Sequence, residues 1–235
     1  MSHRFPVEWR EGVYQAIESR RDMRHFKGDA VDANALARIL SAAHHAGSVG
    51  FMQPWNFIII EDISIRGAVR AHVEKERIRA ASAFEGARKE TYLGLKLEGI
   101  LDAAVNICVT CDRERSGPAV LGRNTIRDTD LYSVCAAVQN LWLAARAEGL
   151  GVGWVSILEP DALRAILGIP ENILPVAYLC VGHVESFPER PTLETSGWAP
   201  RIPLEELVFS DVWGRPSNGE MTNALRHSWK EPRHE

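Results

Sequence analysis

The stretch DTDLYSVCAAVQNLWLAARAEGLGVGWVSI, residues 128–157, predicts a long buried helix that is followed directly by a strand. Asp128 or Asp130 can cap the start of the helix, and Gly149 or Gly151 can end it. The helix is apolar over most of its circumference, which is typical of a helix at the centre of a core or of a subunit interface. The segment after it is short, apolar and bounded by glycines, which favours a buried strand.

Working outward from this stretch, the rest of the chain supplies more elements of both kinds. Apolar, β-branched runs predict strands at residues 56–62, 104–112 and 176–185, and helical periodicity predicts helices at 8–21, 31–47 and 159–169. Such an order suits an α/β or α+β layered structure. We expect one domain over residues 1–213 and a disordered polar tail over 214–235. Residues 63–102 are mostly helical and highly charged, and we expect them to have few core contacts and to be mobile.

The composition excludes several classes of partner. The chain has 235 residues and a formal net charge of -4, which argues against a general nucleic-acid or anionic-membrane surface. Its longest apolar runs are too short to span a bilayer, and its first residues, MSHRFPVEW, lack the apolar region of a secretory signal. We therefore expect a cytoplasmic protein with neither a membrane nor a nucleic acid as partner.

Cys108 and Cys111 form a CxxC pair that could indicate a metal or redox site. Both lie in a predicted strand, and their odd spacing sends the two thiols to opposite faces of a sheet. No second pair of cysteines or histidines completes a zinc site. We therefore predict buried thiols in a reducing compartment and no metal centre.

The stretch ESRRDMRHF, residues 18–26, concentrates positive charge at the predicted end of the first helix. On a helix, Arg20 and Arg24 are neighbours on one face, with Arg21 about 100° round the axis. Like charges repel at this spacing, so an anion should relieve them, and guanidinium groups bind phosphate oxygens in pairs. The segment is either a solvated helix end, with Asp22 for charge balance, or a phosphate site.

Two further loops contain chemistry that could hold a flat ring. In HHAGSVGFMQPWNFIII, residues 44–60, amide side chains adjoin Trp55, although an ordinary loop with Trp55 as a core plug is equally open. In EGLGVGW, residues 148–154, the glycines precede their strand and do not fit GxGxxG, so a dinucleotide fold is not indicated. Small residues there could let a ring lie close to the backbone. His44 and His45 are interpreted as helix-end residues.

Four motifs in this order resemble the nitroreductase-like flavoprotein superfamily. They are RRxxR at 20–24, SxxxxQPWxF at 48–57, GLGVGW at 149–154 and PRxPLEELV at 200–208, and the likeness covers residues 8–213. The resemblance implies an α+β fold with a mixed central sheet flanked by helices, in an intertwined homodimer with FMN at the interface. Asp22, Ser156 and YLGLKLEGI (92–100) are similar to the branch that degrades reduced FMN to 5,6-dimethylbenzimidazole, the lower ligand of cobalamin.

The resemblance also implies the roles of individual residues. Asp22 would be the base for cleavage of the ribityl chain, and Ser156 would orient the reacting flavin; the alternatives are charge balance for Asp22 and a strand hydroxyl for Ser156. Whether the arginines or burial decide the ionisation of Asp22 stays open. The FMN-binding residues would be Arg20, Arg21, Asp22, Met23, Arg24 and Arg201 near the phosphate and ribityl chain, and Ser48, Met52, Gln53, Trp55, Gly153, Trp154, Val155 and Ser156 around the ring.

By the same resemblance, reduced FMN is a substrate that reacts with O2 to give 5,6-dimethylbenzimidazole and erythrose 4-phosphate, without a metal. Residues 75–98 would be a lid that bars nicotinamide, so that a separate NAD(P)H flavin reductase delivers the reduced flavin. The alternatives are an NAD(P)H-dependent nitro- or quinone reductase that recycles FMN, and a carrier that stores FMN unchanged.

Overall fold

The computed structural model describes residues 3–228, and these contain one sheet of four strands and eight α-helices. The elements lie close to the predicted positions, because apolar periodicity and caps such as Asp32, which accepts a hydrogen bond from the Ala35 amide at 2.9 Å, mark them in the sequence. The strands are β1 (Trp55–Ile60), β2 (Val105–Asp112), β3 (Gly151–Val155) and β4 (Ile173–Gly182). The helices are α1 (Val7–Ser19), α2 (Ala33–His44), α3 (Ile63–Ala81), α4 (Gly86–Gly94), α5 (Thr129–Ala147), α6 (Pro160–Leu167), α7 (Thr192–Thr195) and α8 (Gly219–Ser228).

The sheet has the strand order β1-β2-β4-β3, and each neighbouring pair is antiparallel. Among the described residues, parallel pairing is limited to one isolated bridge between Asp22 and Val152. The α+β class is therefore confirmed, but the four-stranded sheet is antiparallel rather than mixed. The reason is that the segment after α1 adds a single bridging residue to the edge strand β3 and no strand of its own.

The helix α5 lies at the centre of the core, as its sequence predicts. Val134, Val138 and Leu141 are at most 1 % exposed, and they pack with α2 on one face of β2 and β4. Burying each such side chain contributes about 1.5–3 kcal/mol. Cys111 belongs to this cluster and Cys108 to the cluster on the other face, which confirms that the two thiols are on opposite sides of the sheet. Burial raises the pKa of each thiol to about 12.

The second face of the sheet is covered by α3 and α6. Val69 and Val73 of α3 are at most 1 % exposed, so the prediction that residues 63–102 have few core contacts is wrong for this helix. Arg66 adds to its attachment, since its guanidinium donates to the backbone carbonyl of Ile100 at 2.6 and 3.0 Å. The many charged residues around Val69 and Val73 hide the apolar pattern of this helix in the sequence.

The chain divides into a compact unit that ends at Pro191 and another that begins at Thr192. The boundary at residue 213 stays a prediction, and the helix α8 lies inside the stretch for which we predict a disordered tail. The last part of that tail, residues 229–235, lies outside the described residues. In the described part of the chain, no helix combines the length and the apolar character that crossing a bilayer would require.

Candidate functional site

The arginine-rich segment is extended and follows the first helix. The helix α1 ends at Ser19, and Arg20 already has extended backbone angles, with φ −60° and ψ 135°. Side chains alternate along extended backbone, so Arg20, Asp22 and Arg24 share one side, while Met23 is buried on the other. The predicted helical pairing of Arg20 with Arg24 is wrong, because the helix ends too early. The period of two of extended backbone places them on the same side of the segment instead.

Asp22 is held at the edge of the sheet by Arg24 and by the strand β3. Its Oδ1 accepts from Arg24 Nη1 at 2.7 Å and from the Trp154 amide at 2.9 Å, and its Oδ2 accepts from Arg24 Nη2 at 2.5 Å. Arg24 Nη2 also donates to the carbonyl of Trp154 at 2.9 Å. This bidentate ion pair therefore has a fixed orientation relative to β3.

The protonation of Asp22 is set by opposing effects. Burial raises the pKa of the Asp22 carboxyl, while the guanidinium of Arg24, the Trp154 amide and the charge of Arg20 lower it. The net shift is upward from the ordinary value of 3.8, although 45 % of the side chain is exposed. Burial is the largest of these effects, and the charge of Arg24 is the largest that opposes it.

Arg20 lies over Trp142, which adjoins Trp154. Its guanidinium lies 4.7 Å from the ring centroid of Trp142, whose ring is 6.5 Å from that of Trp154. Trp142 is itself oriented, since its Nε1 donates to the carbonyl of Arg21 at 3.2 Å. We call Arg20, Asp22, Arg24, Trp142 and Trp154 the Asp22 group. It combines two cations, one carboxylate and an aromatic surface.

Arg21 does not join the Asp22 group. Its Nη1 donates to the backbone carbonyls of Glu18 at 2.6 Å and Arg20 at 2.8 Å, and its Nη2 donates to the carbonyl of Glu189. The alternation of the extended segment turns this side chain away from Asp22. Its predicted contact with a phosphate stays a prediction, and in this chain its donors hold backbone together.

The strand β3 packs so closely against the extended segment that position 153 has no space for a side chain. A Cβ on Gly153 would lie 2.0 Å from the carbonyl oxygen of Met23 and 2.6 Å from Arg24 Nη1. Gly153 is therefore needed for packing against its own chain, and its predicted contact with a flavin ring stays a prediction. Val155 is 1 % exposed and belongs to the core, and its predicted contact with the flavin stays a prediction.

Ser156 is exposed and comes directly after β3. It lines a cleft of about 340 Å³ together with Glu76 and Arg79 of α3 and with Glu159. Arg79 bridges the two acids, with 3.0 Å to Glu76 and 2.5 Å to Glu159. Ser156 thus faces a charged cleft under the C-terminal half of α3, where the predicted lid begins.

The loop of residues 48–56, which we call the Gln53 loop, has an unusual backbone. Gly50, Phe51 and Gln53 have φ values of 57°, 54° and 48°. These lie in the left-handed region, which residues other than glycine rarely adopt. The Oγ of Ser48 accepts from the Gln53 amide at 2.8 Å and closes the loop. The loop is therefore held by contacts rather than by backbone preference.

The Gln53 loop borders a larger cleft of about 610 Å³. Met52 and Trp55 are 2 % and 4 % exposed, so they form its floor rather than an open ring surface, and Trp55 donates from Nε1 to His44 Nδ1 at 3.2 Å. His44 therefore orients an aromatic side chain in addition to ending a helix. The cleft is lined by Leu40, Ser41, His44, Phe51, Met52, Gln53, Trp55, Phe57, Arg115 and Ser116.

The Gln53 loop and the Asp22 group contact different parts of α5. The amide of Val49 donates to Ser133 Oγ near the start of the helix, whereas Trp142 binds the Arg21 carbonyl near its end. Ser133 and Trp142 are nine positions apart, which is a rise of about 14 Å along the helix. One chain therefore holds the Gln53 loop, with the ring contacts predicted there, apart from the Asp22 group.

Arg201 belongs to the second compact unit, where it is exposed and precedes a 3₁₀ turn at Leu204–Glu206. Its predicted phosphate contact stays a prediction. Sequence reasoning missed two residues that touch the site, Trp142 and Arg115. Trp142 was interpreted only as part of an apolar helix, and Arg115 lies in a polar loop without periodicity, so neither carried a local signal.

The model of the nitroreductase family matches residues 17–183. The chain is 40 % identical to a 5,6-dimethylbenzimidazole synthase from Rhodospirillum rubrum over 199 residues, which cover 85 % of this chain and 94 % of that protein. It is 36 % identical to a 5,6-dimethylbenzimidazole synthase from Rhodobacter capsulatus, with coverage of 86 % and 97 %.

Solved structures of this fold include an oxidised iodotyrosine deiodinase bound to FMN and 3-iodo-L-tyrosine, with a TM-score of 0.64, 23 % identity and coverage of 76 % of this chain and 94 % of that one. At 23 % identity this likeness concerns the fold alone. The match of the family model over most of the chain, with the 40 % identity to the relative from Rhodospirillum rubrum, shows that this chain belongs to the nitroreductase family.

Proposed function

We propose that this protein is an enzyme that degrades reduced FMN with O2 to 5,6-dimethylbenzimidazole and erythrose 4-phosphate, for the lower ligand of cobalamin. The sequence identity of 33–40 % with proteins named 5,6-dimethylbenzimidazole synthase supports this reaction over other chemistry of the family. The observation that carries the proposal is a carboxylate of raised pKa, Asp22, within an arginine pair at the edge of β3.

Asp22 can accept a proton at one defined atom. A carboxylate oxygen has two lone pairs, and among the described residues Oδ1 already accepts two hydrogen bonds while Oδ2 accepts one, from Arg24. The free lone pair of Oδ2 is the position at which a ribityl hydroxyl would place its proton. The raised pKa makes Asp22 a stronger base than an exposed aspartate, which favours proton abstraction.

The residues of the Asp22 group fit a phosphorylated flavin. Arg20 has its guanidinium over Trp142, and none of the described carboxylates forms an ion pair with it, so its donors can bind phosphate oxygens. Arg24 is anchored to Trp154 and keeps Asp22 in place. When bound, reduced FMN supplies the electrons that O2 takes up. The protein positions the ribityl chain, excludes water and moves a proton.

A homodimer would complete the site, because one chain separates its two halves. In α1 no residue is buried, and Trp9, Val13, Tyr14 and Ile17 are 66, 52, 60 and 43 % exposed. An exposed apolar helix of this kind is typical of a subunit interface. We propose that a second copy covers it, and that the Gln53 loop of one copy meets the Asp22 group of the other.

The cleft at Ser156 supports a lid over the reacting flavin. Arg79 ties Glu76 of α3 to Glu159, next to Ser156, so the start of the segment 75–98 is attached at the site. We propose that closure of this segment bars nicotinamide and that a separate cytoplasmic NAD(P)H flavin reductase delivers reduced FMN. Ser156, a neutral donor and acceptor, would then orient the flavin.

The decisive experiment is a single-turnover reaction of photoreduced FMN with O2 in the presence of the purified protein, followed by chromatography. We expect equal amounts of 5,6-dimethylbenzimidazole and erythrose 4-phosphate, in proportion to the protein. Recovery of intact FMN would instead indicate a carrier and contradict the proposal. A parallel anaerobic sample receives NADPH alone. Rapid bleaching of the bound flavin there would favour an NAD(P)H-dependent nitro- or quinone reductase.

A further inference from the structure

Arg115 lies just beyond β2 and makes three hydrogen bonds to the Gln53 loop. Its Nη1 donates to the backbone carbonyls of Gln53 at 2.8 Å and Trp55 at 2.9 Å, and its Nη2 donates to Asn56 Oδ1 at 2.5 Å. The side chain is only 34 % exposed. A planar guanidinium can satisfy three acceptors at once, whereas an ammonium group cannot span them in this geometry.

The backbone that Arg115 holds is the part of the loop with unfavourable angles. Phe51 and Gln53 have φ values of 54° and 48°, which persist only where surrounding contacts over-determine them. The hydrogen bond to the Gln53 carbonyl acts directly on one of these residues. Met52, between them, is 2 % exposed and fixes the other side of the turn.

The loop that carries Arg115 also backs the Gln53 loop by close packing. A Cβ on Gly50 would lie 2.5 Å from Val120 Cγ1, so the two loops touch without space for a side chain. The second loop is in turn anchored to α5, since Arg113 Nε donates to the fully buried Asp130 Oδ2 at 3.0 Å. Arg115 thus transmits the position of α5 and β2 to the Gln53 loop.

We propose that Arg115 is a positioning residue that fixes the Gln53 loop in its left-handed conformation, so that this loop can contact the ring of FMN. The inference rests on the proposed function, because the ring contact of the loop is part of it. Arg115 acts through Gln53 and Trp55 and takes no part in the chemistry itself. Its effect should therefore appear in flavin affinity and in the bound spectrum before any turnover.

The test compares Arg115→Ala and Arg115→Lys with Arg127→Ala. Arg127 is an exposed arginine of the same loop, with no hydrogen bond to the Gln53 loop, so its variant removes the same charge without the contacts. Oxidised FMN is titrated by fluorescence and by its visible absorption bands, in the dark. Hydrogen exchange of residues 51–56 is measured without flavin, and thermal unfolding is measured for each variant.

We expect Arg115→Ala to weaken FMN binding about 10- to 100-fold, since hydrogen bonds from a charged donor are lost. Its flavin bands should shift and residues 51–56 should exchange faster, while Arg127→Ala behaves as the wild type. Arg115→Lys should restore part of the affinity, and it serves as the test variant if the alanine variant does not fold.

Wild-type affinity and bands in a folded Arg115 variant would overturn the inference, even if that variant melts earlier, because the role would then be structural only. Failure of the wild-type chain itself to bind FMN would overturn the proposed function, and this inference with it. The two failures are thus distinguished by the wild-type titration.

Discussion

The Asp22 group and the Gln53 loop lie along the same helix, α5, but they are held in different ways. The Asp22 group contains an ion pair and a cation–π contact between side chains: Arg24 binds both oxygens of Asp22, and Arg20 lies over Trp142. In the Gln53 loop, side chains hold backbone: Ser48 binds the Gln53 amide and Arg115 binds two carbonyls. The first arrangement tunes charge, and the second fixes shape. We therefore expect loss of the Asp22 carboxylate to change the rate and substitutions in the Gln53 loop to change binding.

The largest effect should come from Asp22→Asn. An amide of nearly the same shape cannot accept a proton as a base, and one positioned general base contributes about 10²–10⁴ in rate. We expect single-turnover formation of 5,6-dimethylbenzimidazole to fall by that factor while FMN stays bound. The control is Asp29→Asn, an exposed acid five residues beyond Arg24. Unchanged product formation by Asp22→Asn would rule out the base role.

The pH dependence of the same reaction sharpens the difference between the two regions. The pKa of Asp22 is raised above 3.8, so the carboxyl stays protonated to a higher pH than an exposed aspartate. The basic form grows as pH rises through the raised pKa, and the rate should therefore fall about tenfold per pH unit below it. This fall of the rate at low pH, the acidic limb of the pH profile, should be absent from Asp22→Asn and retained in Arg115 variants. If the acidic limb survives in Asp22→Asn, the group that titrates is not Asp22.

Much of the fold is predictable from sequence because it depends on local patterns. The strands β1 and β2 and the helix α5 begin and end within about two residues of the predicted positions, since apolar runs and polar boundaries are read directly. The site is different. Its residue types at 20–24 are informative, but their geometry was assigned to a helix that ends at Ser19.

The remaining site residues are fixed by contacts between distant parts of the chain. Trp142 binds the carbonyl of Arg21, and Arg115 binds those of Gln53 and Trp55, at sequence separations of 121, 62 and 60. Neither helical periodicity nor a capping residue predicts such a long-range contact. Gly153 stands out in the sequence as a small residue, but the atom that requires its missing side chain, a backbone oxygen of Met23, cannot be inferred from the sequence.

Gly153→Ala should damage the Asp22 group through packing alone. The added Cβ would meet the Met23 carbonyl at 2.0 Å, which forces β3 and the extended segment apart. We expect a loss of about 1–3 kcal/mol in the free energy of unfolding in urea. Gly67→Ala is the matched control, because nothing lies within 4 Å of that position in α3. It should gain about 0.5–1 kcal/mol. Equal effects of the two substitutions would contradict the close approach.

The smallest effect should come from Ser48→Ala, which removes one contact from the Gln53 loop and leaves Arg115 in place. The Gln53 amide loses its 2.8 Å acceptor, and a single neutral hydrogen bond contributes about 0.5–1.5 kcal/mol. We expect a loss of that size in the free energy of unfolding, with a lower FMN affinity and an unchanged pH limb. Ser41→Ala is the control, since Ser41 lines the same cleft without a side-chain contact to this loop. If Ser48→Ala changes the acidic limb of the pH profile, the conformation of the Gln53 loop affects the titration of Asp22 through α5. The two regions would then not be independent.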